Sequence, residues 1–84
     1  MKVRLETGEE AEAVAFEGNL LKLRSPRAFA PGAPIRFKTT EDEPRSLEGR
    51  TIGSKRLDDR CFEVRMRFVN LRRNDRELLL RKLA

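Results

Sequence analysis

From Cys61 to Val69 apolar and charged residues alternate without a break. Phe62, Val64, Met66 and Phe68 fall on one side, and Glu63, Arg65 and Arg67 on the other. A period of two is the pattern of a half-buried β-strand and is incompatible with a helix over the same stretch. The rest of the chain, read against this strand, resolves into short strands of the same kind. Val3 and Leu5 alternate with Lys2, Arg4 and Glu6 in a first strand over residues 1–7, and Gly8-Glu9-Glu10 supplies a turn. Ala13 to Phe16 is a second strand, which Gly18-Asn19 reverses into a third, Leu20 to Arg24, ended by Ser25-Pro26. After Pro31-Gly32, Ile35 and Phe37 alternate with Arg36 and Lys38 in a fourth strand, Pro34 to Thr39. Thr40 to Ser46, with Glu41, Asp42, Glu43 and Pro44, reads as an exposed loop. Leu47 to Lys55 is a fifth strand, in which Gly49 and Gly53 mark bulges or bends, and Leu57 to Arg60 connects it to the sixth.

The period then changes. Asn74, with Glu77 three residues on, has the form of an N-cap and its partner. Leu79, Leu80 and Leu83 share one face of a helix over about 75–84, with Arg81 and Lys82 toward its C-terminal end. A helix this short persists only when packed on the sheet. The expected fold class is therefore all-β to α+β: one domain over residues 1–84, with six antiparallel strands within 2–69 forming a small barrel and the helix docked outside.

Composition restricts the chemistry. With 84 residues the core is modest. There is no His, Trp or Tyr and a single Cys, which removes the commonest general base, the commonest transition-metal ligand and any disulfide framework. Ser25, Ser46, Ser54 and Cys61 are the available nucleophiles, and no His serves them. Ser54 and Lys55 are strand neighbours and point to opposite faces. Glu41-Asp42-Glu43 and Asp58-Asp59 fall in polar connections, where turn chemistry explains them. No phosphate-cradling Gly-rich loop occurs. The chain is accordingly expected to be no enzyme, with no catalytic residues, metal or cofactor. No apolar run approaches the roughly 20 residues that span a bilayer, the charged MKVRLETGEE start is unlike a signal peptide, and cytoplasmic localisation is expected.

Nineteen basic residues against fourteen acidic ones give a formal net charge of +5 and a pI near 10.1. Such a balance suits nucleic acid, anionic ligands or acidic protein surfaces. Arg36, Lys38, Arg65 and Arg67 make a basic outer face, with Glu48 and Glu63 across from them. Single-stranded nucleic acid requires exposed aromatics for base stacking. Phe16, Phe37, Phe62 and Phe68 are expected in the core, leaving only Phe29 exposed, so nucleic acid is a minor reading.

The run Gly18-Asn19-Leu20-Leu21-Lys22-Leu23-Arg24-Ser25-Pro26, followed by Pro31-Gly32-Ala33-Pro34-Ile35-Arg36-Phe37, resembles the middle of a PilZ domain. Leu47 to Gly53 is similar to that family's apolar-x-Gly strand, Cys61 to Leu71 to its terminal strand, and Asp75 to Leu83 to its C-terminal helix. The resemblance implies a bacterial six-stranded barrel of a family in which many members bind cyclic di-GMP. The family's Asp/Asn-x-Ser-x-x-Gly segment falls on residues 13–18, where only Gly18 is retained; Ala13 and Ala15 replace the polar positions. An Arg-x-x-x-Arg arm ahead of the barrel is missing, and the Arg56–Arg60 and Arg72–Arg76 spacings follow barrel strands and are of a kind common in an Arg-rich chain.

The resemblance thus implies a degenerate member that binds no cyclic di-GMP and acts through protein contacts, as an adaptor in bacterial signalling, motility or type IV pilus function. The candidate partner-binding cluster is Arg72, Arg73 and Arg76, extended by Arg65 and Arg67. Two alternatives stand beside it. One is a cyclic di-GMP sensor using a non-standard site at Arg24 and Arg27, and the other a small basic barrel binding nucleic acid. A homodimer is compatible with all three.

Overall fold

Strict alternation does specify the sheet. In the structure, a computed structural model describing residues 1–41 and 44–83, β1 (Lys2–Leu5), β3 (Leu20–Ser25) and β4 (Pro34–Thr39) alternate exposed and buried at every position. β2 (Glu10–Glu17), β5 (Ser46–Asp58) and β6 (Cys61–Phe68) do so over most of their length. The strands close into an antiparallel barrel in the order β1-β2-β3-β6-β5-β4, with β4 returning to β1. Closure leaves no free sheet edge among these strands.

Inward residues fill the barrel. Val3, Leu23, Val64 and Met66 are fully buried. Phe68 packs edge-on against Phe16, ring centroids 5.8 Å apart, and lies 6.3 Å from Phe37. The β2–β3 hairpin turn and a turn within the β3–β4 connection are both set by glycines at positive φ. Gly18 (φ 63°) opens the two-residue β2–β3 turn, and Gly32 (φ 83°) follows Pro31 in a turn closed by the Ala33 amide donating to the Ala30 carbonyl.

Each mouth of the barrel is closed by a different device. At one end the α-helix α1 (Arg73–Leu83) packs with Leu78 and Leu79 buried, Leu79 joining the barrel core. Arg76 ties the helix to the β2–β3 turn by donating to the Gly18 carbonyl and the Asn19 side-chain oxygen, while its guanidinium lies 5.6 Å from the Phe16 ring centroid. The Arg45–Asp75 pair, at 2.9 Å with both side chains largely buried, ties it to the segment before β5. At the other end Phe29 rests on the core, its amide donating to Ser54 Oγ and its carbonyl accepting from the same hydroxyl.

Several boundaries and burials depart from the expectations. β1 stops at Leu5, where the Gly8 amide closes a turn onto the Leu5 carbonyl, so the reversal precedes Glu10, which already pairs with Arg4 in β2. β2 begins three residues earlier than expected and carries a bulge at Val14. β5 runs on to Asp58 and forms a long hairpin with β6; the register shifts once between Thr51 and Gly53, at the glycine expected to mark a bulge, and again between Arg56 and Asp58.

The helix starts at Arg73, not Asp75: the Arg72 carbonyl accepts the first helical hydrogen bond, from Arg76, so Asn74 is inside the first turn and is no cap. Its buried face is Leu78 and Leu79, while Leu80 is exposed. Phe29 is half-buried, not exposed, and Phe62 is half-buried, not core. In the expected loop, Arg45 is ion-paired and Ser46 already belongs to β5. Asp42, Glu43 and the helix's expected last residue, Ala84, lie outside the described residues.

A candidate interaction surface

The nucleophile candidates serve the fold. Ser25 is buried, donating to the Arg27 carbonyl and accepting from the Arg27 amide; Ser54 holds Phe29; Ser46 and Cys61 begin strands. The carboxylates act similarly. Asp58 accepts from the Arg60 amide, Asp59 pairs with Arg56, and Glu41 accepts from the Lys2 amide. No group of three or more His, Cys, Asp or Glu side chains among the described residues is placed to hold a metal.

Residues 13, 15 and 18, singled out in the sequence as a ligand-motif remnant, are similarly occupied by the fold. Ala13 is fully buried opposite Leu23, so a carboxylate there would enter the core. Ala15 is half-buried opposite Lys22, and Gly18 is the turn glycine. Arg24 and Arg27 do not converge. Arg24 projects from the outer face of β3, whereas Arg27, in the loop beyond, is engaged by Glu9. The Thr7 hydroxyl and Arg27 together hold the Glu9 carboxyl below the usual glutamate range.

Charge is distributed unevenly over the outside. On the side of β1, β4 and β2, cations meet carboxylates: Arg4 with Glu10, and Arg36 with both Glu48 and Glu6. An open cleft of about 530 Å³ runs there over Leu5, Phe37 and Leu47, rimmed by Arg4, Arg36, Lys38 and Glu48, of which Arg4 and Arg36 are ion-paired. A second cleft, of about 660 Å³, lies between β5, β6 and the helix start and contains the Arg45–Asp75 pair.

On β3, β6 and β5 the balance is lost. Reading across the strands, Leu20 stands opposite Arg67, which stands opposite Arg50; in the next row Lys22 stands opposite Arg65, itself opposite Gly53. A third row sets Arg24, Glu63 and Lys55 side by side. Six cations therefore share the outward face of these three strands with one acid, Glu63, which pairs with Lys22 at 3.3 Å, while β2 sets Glu12 opposite Arg24 and Glu17 opposite Leu20 at the margin. Arg65 and Arg67 form no ion pair or side-chain hydrogen bond among the described residues, and Arg50 reaches only the Gly32 carbonyl, at 3.2 Å. Between these charges Leu20 and Ile52 are exposed, at 42% and 38%.

Of the residues singled out from sequence, the structure places Arg65 and Arg67 at the centre of this face. Arg36 and Lys38 do not join them, because β5 separates β4 from β6. Arg72 and Arg73 lie exposed at the helix start, with Arg73 near Glu77 at 3.5 Å, and Arg76 is held by the β2–β3 turn. Sequence reasoning passed over Lys22, Arg50, Lys55, Leu20 and Ile52. The signal was present strand by strand: outward positions of β2 are Glu10, Glu12 and Glu17, whereas those of β3 and β6 are mostly basic. No helix among the described residues is long and apolar enough to cross a membrane. Compared with models of known protein families, with curated proteins and with solved structures, the chain has no match.

Proposed function

We propose that this chain is a non-enzymatic, PilZ-like adaptor that acts through contacts with a protein partner, in bacterial signalling, motility or type IV pilus function. The observation that carries the contact reading is the outward face of β3, β6 and β5, where like charges stand opposite one another without a carboxylate among the described residues to neutralise Arg65 or Arg67. Like charges directly opposite destabilise a sheet, and an acidic partner surface would relieve them. The six-stranded barrel with a C-terminal helix agrees with what the PilZ resemblance implies.

A cyclic di-GMP site has less support. Two phosphates call for bidentate Arg contacts beside hydrogen-bond donors on a strand. Here Ala13 is in the core, and Arg27 is already paired with Glu9. Nucleic acid has less support for a different reason: the three rows carry no aromatic side chain on which a base could stack. Isothermal calorimetry with cyclic di-GMP, using a ligand-binding PilZ domain as control, tests the adaptor reading. No heat at high micromolar ligand is the expected result, and saturable binding would replace the adaptor with a sensor.

A further inference from the structure

We infer that the face formed by β3, β6 and β5 docks a short acidic segment of the partner that carries aliphatic side chains among its carboxylates. This rests on the adaptor reading above and adds the chemistry of what is bound. The barrel is closed, so no strand edge is offered for main-chain pairing, and recognition must proceed through side chains. Arg65 and Arg67 form the axis of the face. They are two residues apart on β6 and project on the same side, about 7 Å apart, a spacing that carboxylates on successive outward positions of an extended segment, or one helical turn apart, can meet.

Arg50 and Lys22 extend the positive charge to either side of that axis. Arg65 and Arg67, whose guanidinium groups have no ion pair or side-chain hydrogen bond among the described residues, can grip carboxylates in the bidentate manner that lysine cannot reproduce. The apolar requirement comes from Leu20 and Ile52. Both are exposed and lie within the charged rows, Leu20 beside Arg67 and Ile52 in the bulge beside Gly53. Ile52 faces outward by ordinary alternation, since Thr51 before it is buried, and the bulge keeps Gly53 on the same side, opposite Arg65. Gly53 adds an open notch: a Cβ there would meet nothing within 4 Å, so the space opposite Arg65 is vacant. A nucleic acid backbone would satisfy the cations but would gain little from two aliphatic side chains. An acidic segment bearing leucine or valine uses both features.

The test is a set of NMR titrations of the full chain, using backbone amide shifts, with four probes. These are a Glu-rich peptide with leucines among the glutamates, the same peptide with serine for leucine, an oligothymidylate of matched charge, and cyclic di-GMP. The leucine peptide is expected to shift residues of β3, β5 and β6 around Leu20, Ile52, Arg65 and Arg67. Its affinity should fall by about tenfold in the Arg65→Gln/Arg67→Gln variant. In Leu20→Ser/Ile52→Ser its advantage over the serine peptide should disappear. Amide-spectrum dispersion checks that each variant is folded, and Arg65→Gln alone serves if a double variant is not. Leucine-peptide shifts mapping to another face, or no shift at about 1 mM peptide, would overturn the docking face while leaving the adaptor reading intact. Tighter binding of the oligothymidylate to this face, indifferent to Leu20 and Ile52, would overturn both. Saturable binding of cyclic di-GMP would overturn the adaptor reading itself.

Discussion

Arg50 and Arg67 stand directly opposite each other on the outer face of β5 and β6, and no ion pair among the described residues neutralises either. Elsewhere on the barrel the same arrangement is relieved: Arg4 lies opposite Lys38 on one side but reaches Glu10 on the other. The unrelieved pair makes the face costly to the isolated fold, so stability and partner binding should respond in opposite directions to its removal.

The Arg67→Glu substitution turns a repulsive cross-strand pair into an attractive one. It is expected to stabilise the chain by about 0.2–1 kcal/mol, read as a raised urea midpoint with an unchanged slope. Destabilisation would mean that Arg67 contributes packing that its exposed position on β6 does not suggest.

At Gly49, β5 passes β6 with no room for a side chain. A Cβ there would collide with the Arg67 carbonyl and the Met66 side-chain methyl. Backbone cannot move aside without disturbing the ladder, so Gly49→Ala is expected to cost about 1–3 kcal/mol. The same change at Gly53, which faces open space, should cost far less, and the difference between the two denaturation curves is the measurement.

The alternation within each strand is a local property, and it was enough to locate six strands, one helix and most of the core. What was not legible depended on which strands become neighbours. β3 pairs with β6, and β6 with β5; nothing in the period of any one strand states this. Arg36 and Arg65 therefore looked like one face from sequence, whereas β5 parts them, and Arg50 enters the patch from the strand between. The partial burial of Phe29 is not legible because a loop position has no period to read, and it rests on a distant hydroxyl, Ser54. The helix start was misplaced because Asn74 and Glu77 have capping spacing, but contacts of Arg76 with the β2–β3 turn accompany a start one residue before Asn74.

Arg76 is accordingly expected to act in the fold and not at the docking face. Arg76→Ala removes two hydrogen bonds and the guanidinium above Phe16, with a loss of about 1–3 kcal/mol in chemical denaturation. Arg76→Lys should recover only part of it, because an ammonium lacks the planar fork.

Glu9 should titrate below the usual glutamate range, chiefly because the Thr7 hydroxyl and then Arg27 favour its ionised form. A folded pKa below the unfolded one contributes stability at pH values above the unfolded pKa, and that contribution fades as pH falls through the folded value. Carboxyl-carbon NMR titration should show the low midpoint, and Thr7→Ala should move it upward toward the usual glutamate range. An unmoved midpoint would assign the shift to Arg27.

Arg65 and Arg67, and not Arg72 and Arg73, are the arginines expected to meet the partner. The most direct measurement is affinity capture of the partner from cells of the source organism with the native chain, Arg65→Glu/Arg67→Glu and Arg72→Glu/Arg73→Glu, each confirmed as folded. One protein is expected to be captured by the native chain and by the Arg72/Arg73 variant and to be lost with the Arg65/Arg67 variant. Capture that survives reversal of Arg65 and Arg67 but is abolished at Arg72 and Arg73 would contradict it and move the site to the start of the helix.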